Sequence, residues 1–208
     1  MNSETAAAIT DIVLSAGTIA LAVTVGDGKP ARTWRAAFVA MSIAAALGVV
    51  YHGTERFHTA EFWMLVSGSV VASALLFVGA CAAVGRPVWT SSNWFWPSLG
   101  ATGILLVTLL APLSLDDLII TGGGCLLLSA FLVTSAASGI ARNFIYSGMA
   151  VTVLGFVISS RAQLDGIVSR NALLHLAQLT GNVFYWVGAR RTTASTTSAS
   201  YPNCRRLT

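Results

Sequence analysis

Long apolar segments alternate with short polar ones along most of the chain. A helix that crosses a bilayer needs about 20 mostly apolar residues, and the sequence contains seven segments of that kind. They cover about residues 7–25, 34–52, 62–84, 94–113, 118–139, 142–160 and 171–188. The connecting segments are short, and no internal repeat is visible. The pattern predicts an all-α, polytopic membrane protein in which residues 1–188 form one bundle of seven transmembrane helices.

Basic residues in the connecting segments predict the orientation of this bundle. Lysine and arginine concentrate on the cytoplasmic side of short loops. Most of the 12 basic residues lie after odd-numbered predicted helices: Lys29, Arg32, Arg35, Arg86, Arg142, Arg190, Arg191, Arg205 and Arg206. The other side has only Arg56, Arg161 and Arg170. We therefore expect the N-terminus outside and the C-terminus inside. Residues 189–208, which are basic and rich in serine and threonine, are expected to form a mostly disordered cytoplasmic tail.

The composition agrees with a membrane protein and excludes other classes. Hydrophobic residues make up 55% of the chain and charged residues only 10%, whereas soluble domains have about 25% charged residues. The chain is predicted to be a multi-pass protein of the plasma or inner membrane, and the lipid bilayer is its predicted partner. Basic residues are scattered over the loops rather than gathered in a stripe, which argues against nucleic-acid binding. Three cysteines, Cys81, Cys125 and Cys204, form no disulfide framework.

A run of three glycines, Gly122-Gly123-Gly124, lies in the fifth apolar segment. Small residues allow helices in membranes to approach each other closely. We expect a neighbouring helix to pack against this run. A broken helix that lines a substrate path is the alternative.

Polar residues form a stripe on each of two predicted helices. In the last helix they recur at steps of four, three and four, and so share one face: Asn171, His175, Gln178 and Asn182. In the first helix, Asp11, Ser15 and Thr18 share a face in the same way. Lipid offers polar groups no hydrogen-bond partner. Both stripes are therefore predicted to face the interior of the bundle.

The predicted topology places several of these side chains at one depth in the outer leaflet. His175 lies about one turn into the last helix, and His52 and Asp11 lie at the matching ends of the second and first helices. The first and last helices of a closed ring are neighbours, so we expect these residues to converge with Gln178. Imidazoles and carboxylates suit a zinc or iron site or acid–base catalysis. A hydrogen-bond network that only ties helices together and a ligand pocket are the alternatives.

A resemblance to a known group adds to this hypothesis. His52-Gly53 at the end of the second helix and the run Asn171-Ala172-Leu173-Leu174-His175-Leu176-Ala177-Gln178 resemble an uncharacterised family of seven-helix membrane proteins. That family is distantly similar to the superfamily of alkaline ceramidases and progestin/adipoQ receptors. In its hydrolases, one histidine of helix 2 and two of helix 7 hold a zinc ion that activates water to cleave a lipid amide. The resemblance implies that His52 and His175 hold a metal.

The chain departs from this pattern at three positions. Leu179 stands where the second histidine of helix 7 belongs, and Gly48 stands where the hydrolases have a serine. Glu61 lies two residues before the place of their aspartate. The resemblance then implies that Gln178 or a carboxylate completes the metal shell, and that Asp11 or Glu61 orients the water.

Other classes of membrane protein fit the sequence less well. A retinal protein needs a lysine in its last helix, whereas the only lysine, Lys29, lies in a loop. A haem protein could use His52 and His175 as axial ligands, but only this one pair is available. A channel would carry a charge near mid-membrane, whereas the middles of the predicted helices offer only small hydroxyl residues and glycines. The leading hypothesis is a metal-dependent, hydrolase-like protein with a lipid-like substrate and an outer-leaflet pocket. The alternative is a non-catalytic receptor, or an accessory subunit with a membrane-protein partner.

Overall fold

The computed structural model describes residues 3–85, 115–134, 139–161 and 170–199. These residues form six α-helices and one 3₁₀ turn: α1 (Ser3–Thr24), α2 (Lys29–Gly53), the turn (Glu55–Phe57), α3 (Ala60–Gly85), α4 (Leu115–Thr134), α5 (Gly139–Arg161) and α6 (Arg170–Ala199). The prediction of an all-α protein is confirmed. The predicted helix at 94–113 lies outside the described residues.

Four of the described helices are long and apolar enough to cross a membrane: Glu4–Thr24, Ala31–Gly53, Ala60–Val84 and Gly139–Ser159. A fifth, Ile120–Thr134, is apolar but shorter. Large hydrophobic side chains face outward, among them Leu127 (75% exposed) and Val23 (73% exposed). Such a surface is costly in water and favourable in a bilayer, which agrees with the predicted membrane protein.

A tight turn joins α1 to α2. Gly26 and Gly28 have φ angles of 104° and 102°, a conformation that glycine adopts without steric cost. The Arg35 guanidinium reaches back to the end of α1, where Nη2 donates to the Gly26 carbonyl (2.7 Å) and Nε donates to the Ala22 carbonyl (3.2 Å). These bonds satisfy carbonyl groups that the end of a helix leaves unpaired. The two helices therefore pack as an antiparallel pair.

Contacts between the helices arrange them as a ring. Each described helix packs against the next along the chain, and α6 packs against α1 as well as α5. α2 also contacts α6. The expectation that the first and last helices are neighbours is thus met among the described helices, and it brings the two polar stripes together.

An aromatic core fills the end of the bundle where α1 ends and α2 begins. Trp34 is fully buried there, and its ring centroid lies 5.7 Å from that of Phe77 and 6.4 Å from that of Tyr185. Phe77 and Tyr185 are themselves 4.6 Å apart. Helices α2, α3 and α6 are fixed against each other by these rings. The opposite end, which contains His52, His58 and His175, is called the histidine end below.

Glycines allow α5 and α6 to pack with very close backbones. A Cβ atom built on Gly148 would lie 2.5 Å from Tyr185 Cε1 and 2.8 Å from the Gly181 carbonyl oxygen. A Cβ on Gly155 would collide with Ala177. The helix contact expected at Gly122-Gly123-Gly124 is not found. In the described part of the chain, no atom lies within 4 Å of a Cβ built on any of these three glycines. The broken-helix alternative is wrong, since α4 is continuous through this run.

The last helix is longer than its apolar segment. α6 continues through Ala189 to Ala199, so part of the predicted disordered tail is helical, and residues 200–208 lie outside the described residues. Two cation–π contacts hold this extension: Arg190 lies 4.9 Å from the centroid of Trp186, and Arg191 lies 5.7 Å from that of Phe144.

Candidate functional site

Asp11 and His175 form a buried polar pair between α1 and α6. Asp11 Oδ1 lies 3.2 Å from His175 Nδ1, and the side chains are only 5% and 15% exposed. Thr10 Oγ1 lies 3.1 Å from the same nitrogen. The Thr10 hydroxyl donates to a carbonyl of its own helix, so it can accept a hydrogen bond from His175 Nδ1–H. The imidazole is thus held by two oxygens of α1: that of Asp11, which the polar stripes predicted, and that of Thr10, which they did not.

The second carboxylate oxygen of Asp11 points at α2. Oδ2 is buried and has no hydrogen-bond partner among the described residues. A Cβ atom on Gly48 would lie 2.5 Å from this oxygen and 2.9 Å from Asp11 Cγ. The Asp11 carboxylate therefore occupies the space that a side chain at position 48 would need. This contact favours glycine at position 48.

Below Asp11, hydroxyl groups continue the polar stripe of α1. The Ser15 hydroxyl lies 3.0 Å from the Ser42 carbonyl oxygen, and the Ser42 hydroxyl lies 2.9 Å from the Ser15 carbonyl oxygen. Thr18 is fully buried and donates to the Leu14 carbonyl. The Ser15 and Ser42 hydroxyls thus join α1 to α2 by the helix-to-helix hydrogen bonding found in membranes, whereas Thr18 binds within α1.

His52 is paired with a different carboxylate from the one expected. Its Nδ1 lies 2.7 Å from Glu4 Oε2, and the two side chains are 17% and 47% exposed. His52 and His175 therefore each have their own carboxylate. Glu4 was missed as a site residue, although it lies seven positions before Asp11 and so on the same helical face. That spacing was the available signal.

The remaining predicted site residues lie apart from these pairs. Gln178 is half-buried on α6, and no hydrogen bond joins it to Asp11, His52 or His175 among the described residues. Glu61 is exposed in the first turn of α3, and no hydrogen bond joins it to Asp11, His52 or His175 among the described residues. Leu179, at the position of the missing histidine, packs on α1, since a Cβ on Gly17 would lie 2.5 Å from Leu179 Cδ1.

A groove of about 530 Å³ opens at the histidine end between α1 and α2. Its walls are Glu4, Thr5, Ala8, Ile9, Ile12, His52, Gly53, Glu55 and His58. Ile9 and Ile12 are 46% and 53% exposed, so the groove opens sideways on the apolar outer surface of the bundle. His58 Nε2–H donates to the Tyr51 carbonyl (2.6 Å), which fixes one polar wall. The groove has a polar rim and an apolar side wall.

Comparison with known proteins places the chain in a family. A family model matches residues 6–194, which is most of the sequence. The chain belongs to that family, a family of unknown function (DUF6962). No curated protein and no solved structure matches it significantly. The expectation of an uncharacterised family therefore agrees with the comparison, whereas no comparison supports the wider similarity to alkaline ceramidases and progestin/adipoQ receptors.

The donor groups of this family member fall short of a catalytic zinc site. His52 and His175 each direct Nδ1 at a carboxylate, as metal-binding histidines often do. A catalytic zinc ion, however, takes three protein ligands and a water. No three His, Cys, Asp or Glu side chains come together as such a group in the described ranges. The residues described therefore do not fit a catalytic zinc ion.

Proposed function

We propose that this protein is a non-catalytic, seven-helix integral membrane protein that binds an amphiphilic, lipid-like ligand on its outer side. The groove between α1 and α2 is the observation that carries this proposal. Its volume of about 530 Å³ falls within the range of small-molecule sites. A polar rim at Glu4, His52 and Glu55 adjoins a wall of Ala8 and Ile12. An amphiphile in the bilayer could enter sideways and satisfy both parts.

Binding fits the polar groups better than hydrolysis does. A hydrolase of the resembling kind needs a third metal ligand, and position 179 is instead an apolar side chain packed against Gly17. His175 and Asp11 are paired with each other, which suits a hydrogen-bond network that ties α1 to α6. The Asp11–His175 pair thus joins α1 to α6, whereas His52 and Glu4 line the groove.

The proposed orientation has the N-terminus outside and the C-terminus inside, as the positive-inside rule favours. Asp27, in the α1–α2 turn, and Arg56, in the 3₁₀ turn, lie at opposite ends of α2 and both are exposed. In a chain without native cysteines, we expect Arg56→Cys to react with an impermeant maleimide on intact cells. Asp27→Cys should react only after the membrane is permeabilised. The reverse result would overturn the orientation, and labelling of both from one side would overturn the crossing by α2.

Filling the groove should strongly reduce ligand binding without unfolding the protein. The probe is dodecyl maltoside with a diazirine in its chain, photolysed with the full chain in nanodiscs, and the adducts are located by mass spectrometry. We expect adducts on the α1 wall, at Ala8 to Ile12. Ala8→Trp should reduce this labelling by about tenfold, because the indole occupies the groove.

The matched control is Ala16→Trp. Ala16 is exposed on the same helix, two turns below Ala8, and does not line the groove. Equal labelling of the Ala8→Trp and wild-type proteins would contradict the proposed site. Equal losses in both variants would do so as well, because the effect would then come from α1 in general.

A further inference from the structure

The charge of the groove points to the chemical class of its ligand. We infer that the groove binds a cationic amphiphile, with an amine or quaternary ammonium head beside Glu4 and Glu55 and an apolar chain along α1. This inference rests on the proposed function and specifies its ligand.

The rim of the groove is acidic. Glu4 and Glu55 contribute two carboxylates, and no lysine or arginine is among the described residues that line it. Glu4 keeps 47% of its side chain exposed even though it contacts His52, so one carboxylate can still accept further hydrogen bonds. Glu55 is exposed in the 3₁₀ turn on the opposite wall. A positive head group would lie between two negative carboxylates that attract it, whereas a sulfate or phosphate would be repelled by both.

The two histidines on the rim need not add positive charge. His52 Nδ1–H can donate to the Glu4 carboxylate, and His58 Nε2–H donates to the Tyr51 carbonyl. A neutral imidazole satisfies each bond, because one ring nitrogen carries the hydrogen in that form. Arg170, at the start of α6, is directed elsewhere, since its Nε donates to the Ser159 carbonyl (2.7 Å). The hydrogen bonds of both histidines thus leave Glu4 and Glu55 as the charged groups that a ligand head would meet on the rim.

The apolar wall fixes where the chain of the ligand lies. Thr5, Ala8, Ile9 and Ile12 follow Glu4 down one side of α1. From Glu4 to Ile12 the helix rises about 12 Å. A single alkyl chain can lie along this length with its head at the rim, and the open side faces the acyl chains of the bilayer. Charge at one end and apolar surface along the rest favour a one-chain amphiphile.

The test compares probes that differ only in the head group. Three dodecyl chains with the same diazirine carry trimethylammonium, maltoside or sulfate, and each is photolysed with the full chain in nanodiscs of zwitterionic lipid. Adducts on the lipid-facing surface of α4, at Leu127 and Phe131, measure how much of each probe enters the bilayer. After this normalisation, trimethylammonium should label the α1 wall about tenfold more than sulfate, with maltoside between them.

Substitutions of the carboxylates test the cause of this preference. Glu4→Gln combined with Glu55→Gln should reduce the preference to about twofold or less, while the new amide at position 4 can still accept the hydrogen bond from His52. Glu61→Gln is the matched control, since Glu61 is an exposed carboxylate at the same end of the bundle but does not line the groove. It should keep the full preference.

The outcomes separate this inference from the proposed function. If the sulfate or maltoside probe labels the groove as well as the cation, the ligand class is wrong and the groove remains a binding site. A preference that survives in the double variant would also overturn the inference. If no probe labels the α1 wall more than the surface of α4, the proposed function fails and the inference fails with it.

Discussion

Gly148→Ala is expected to destabilise the protein by about 2 kcal/mol, because the added methyl group has no room between α5 and α6. Its Cβ would lie 2.5 Å from the Tyr185 ring and 2.8 Å from the Gly181 carbonyl oxygen. The ring cannot simply move away, since it packs against Trp34 and Phe77 in the aromatic core. A backbone oxygen moves only if the helix moves. The two helices must therefore separate, and the rest of their glycine contacts weaken with them.

Thermal unfolding of the purified protein in detergent measures this effect. A loss of about 2 kcal/mol corresponds to a decrease of roughly 4–8 °C in Tm for a chain of this size. Gly123→Ala is the matched control, because it makes the same change in the middle of α4. No atom of the described residues lies within 4 Å of a Cβ at this position. Alanine should be neutral or stabilise the helix there by up to about 1 kcal/mol. Equal Tm values for the two variants would show that α5 and α6 do not pack as described.

The two glycine sites show what sequence reasoning could not determine. Gly122-Gly123-Gly124 is the most visible glycine run in the chain, whereas Gly148, Gly155 and Gly181 are separated by several residues. A small residue matters only when another helix lies against it. Which face of a helix meets a neighbour depends on how both helices are rotated about their axes. The apolar residues of these helices are distributed too evenly around each axis to show that rotation.

The helices themselves could be predicted because a bilayer imposes a minimum apolar length. The ends were less accurate, since polar residues can extend a helix beyond its apolar part. α2 begins at Lys29 rather than near residue 34, with a proline in its first turn, where proline is tolerated. α6 extends past residue 188 because arginines contact aromatic rings. Arg190 lies four positions after Trp186, a spacing that was visible, whereas the contact of Arg191 with Phe144 depends on the packing of α5 against α6.

The polar stripes predicted half of the candidate site. A period of three to four residues placed Asp11 and His175 on interior faces, and the neighbouring positions of α1 and α6 bring them to 3.2 Å. His52 was expected in the same cluster because it lies at the same depth. The depth of a residue in the bilayer does not determine which way its side chain points, and the His52 ring contacts Glu4. A pocket in the outer leaflet was expected, but its lining was not, because it depends on how the 3₁₀ turn with Glu55 lies relative to the start of α1.

A double-mutant cycle on Asp11 and Gly48 is expected to show coupling of about 2 kcal/mol. Gly48→Ala alone should destabilise the protein, since the new Cβ would lie 2.5 Å from Asp11 Oδ2. Asp11→Ala alone should cost less: it removes the contact of Oδ1 with His175, but Oδ2 has no hydrogen-bond partner among the described residues and His175 keeps the Thr10 hydroxyl. In the double variant the collision is absent, so its stability should equal that of Asp11→Ala alone.

Gly53→Ala provides the control for this cycle. Gly53 lies at the end of α2, and a Cβ there would meet only Ala8 Cβ at 4.0 Å, which is an ordinary contact. Combined with Asp11→Ala, it should give additive changes in the free energy of unfolding. Additive changes for Gly48→Ala instead would mean that the carboxylate does not occupy the space beside α2. Strong coupling would support Asp11 as a group that fits α1 into α2 and α6, since its carboxylate then occupies the space that a side chain at position 48 would need.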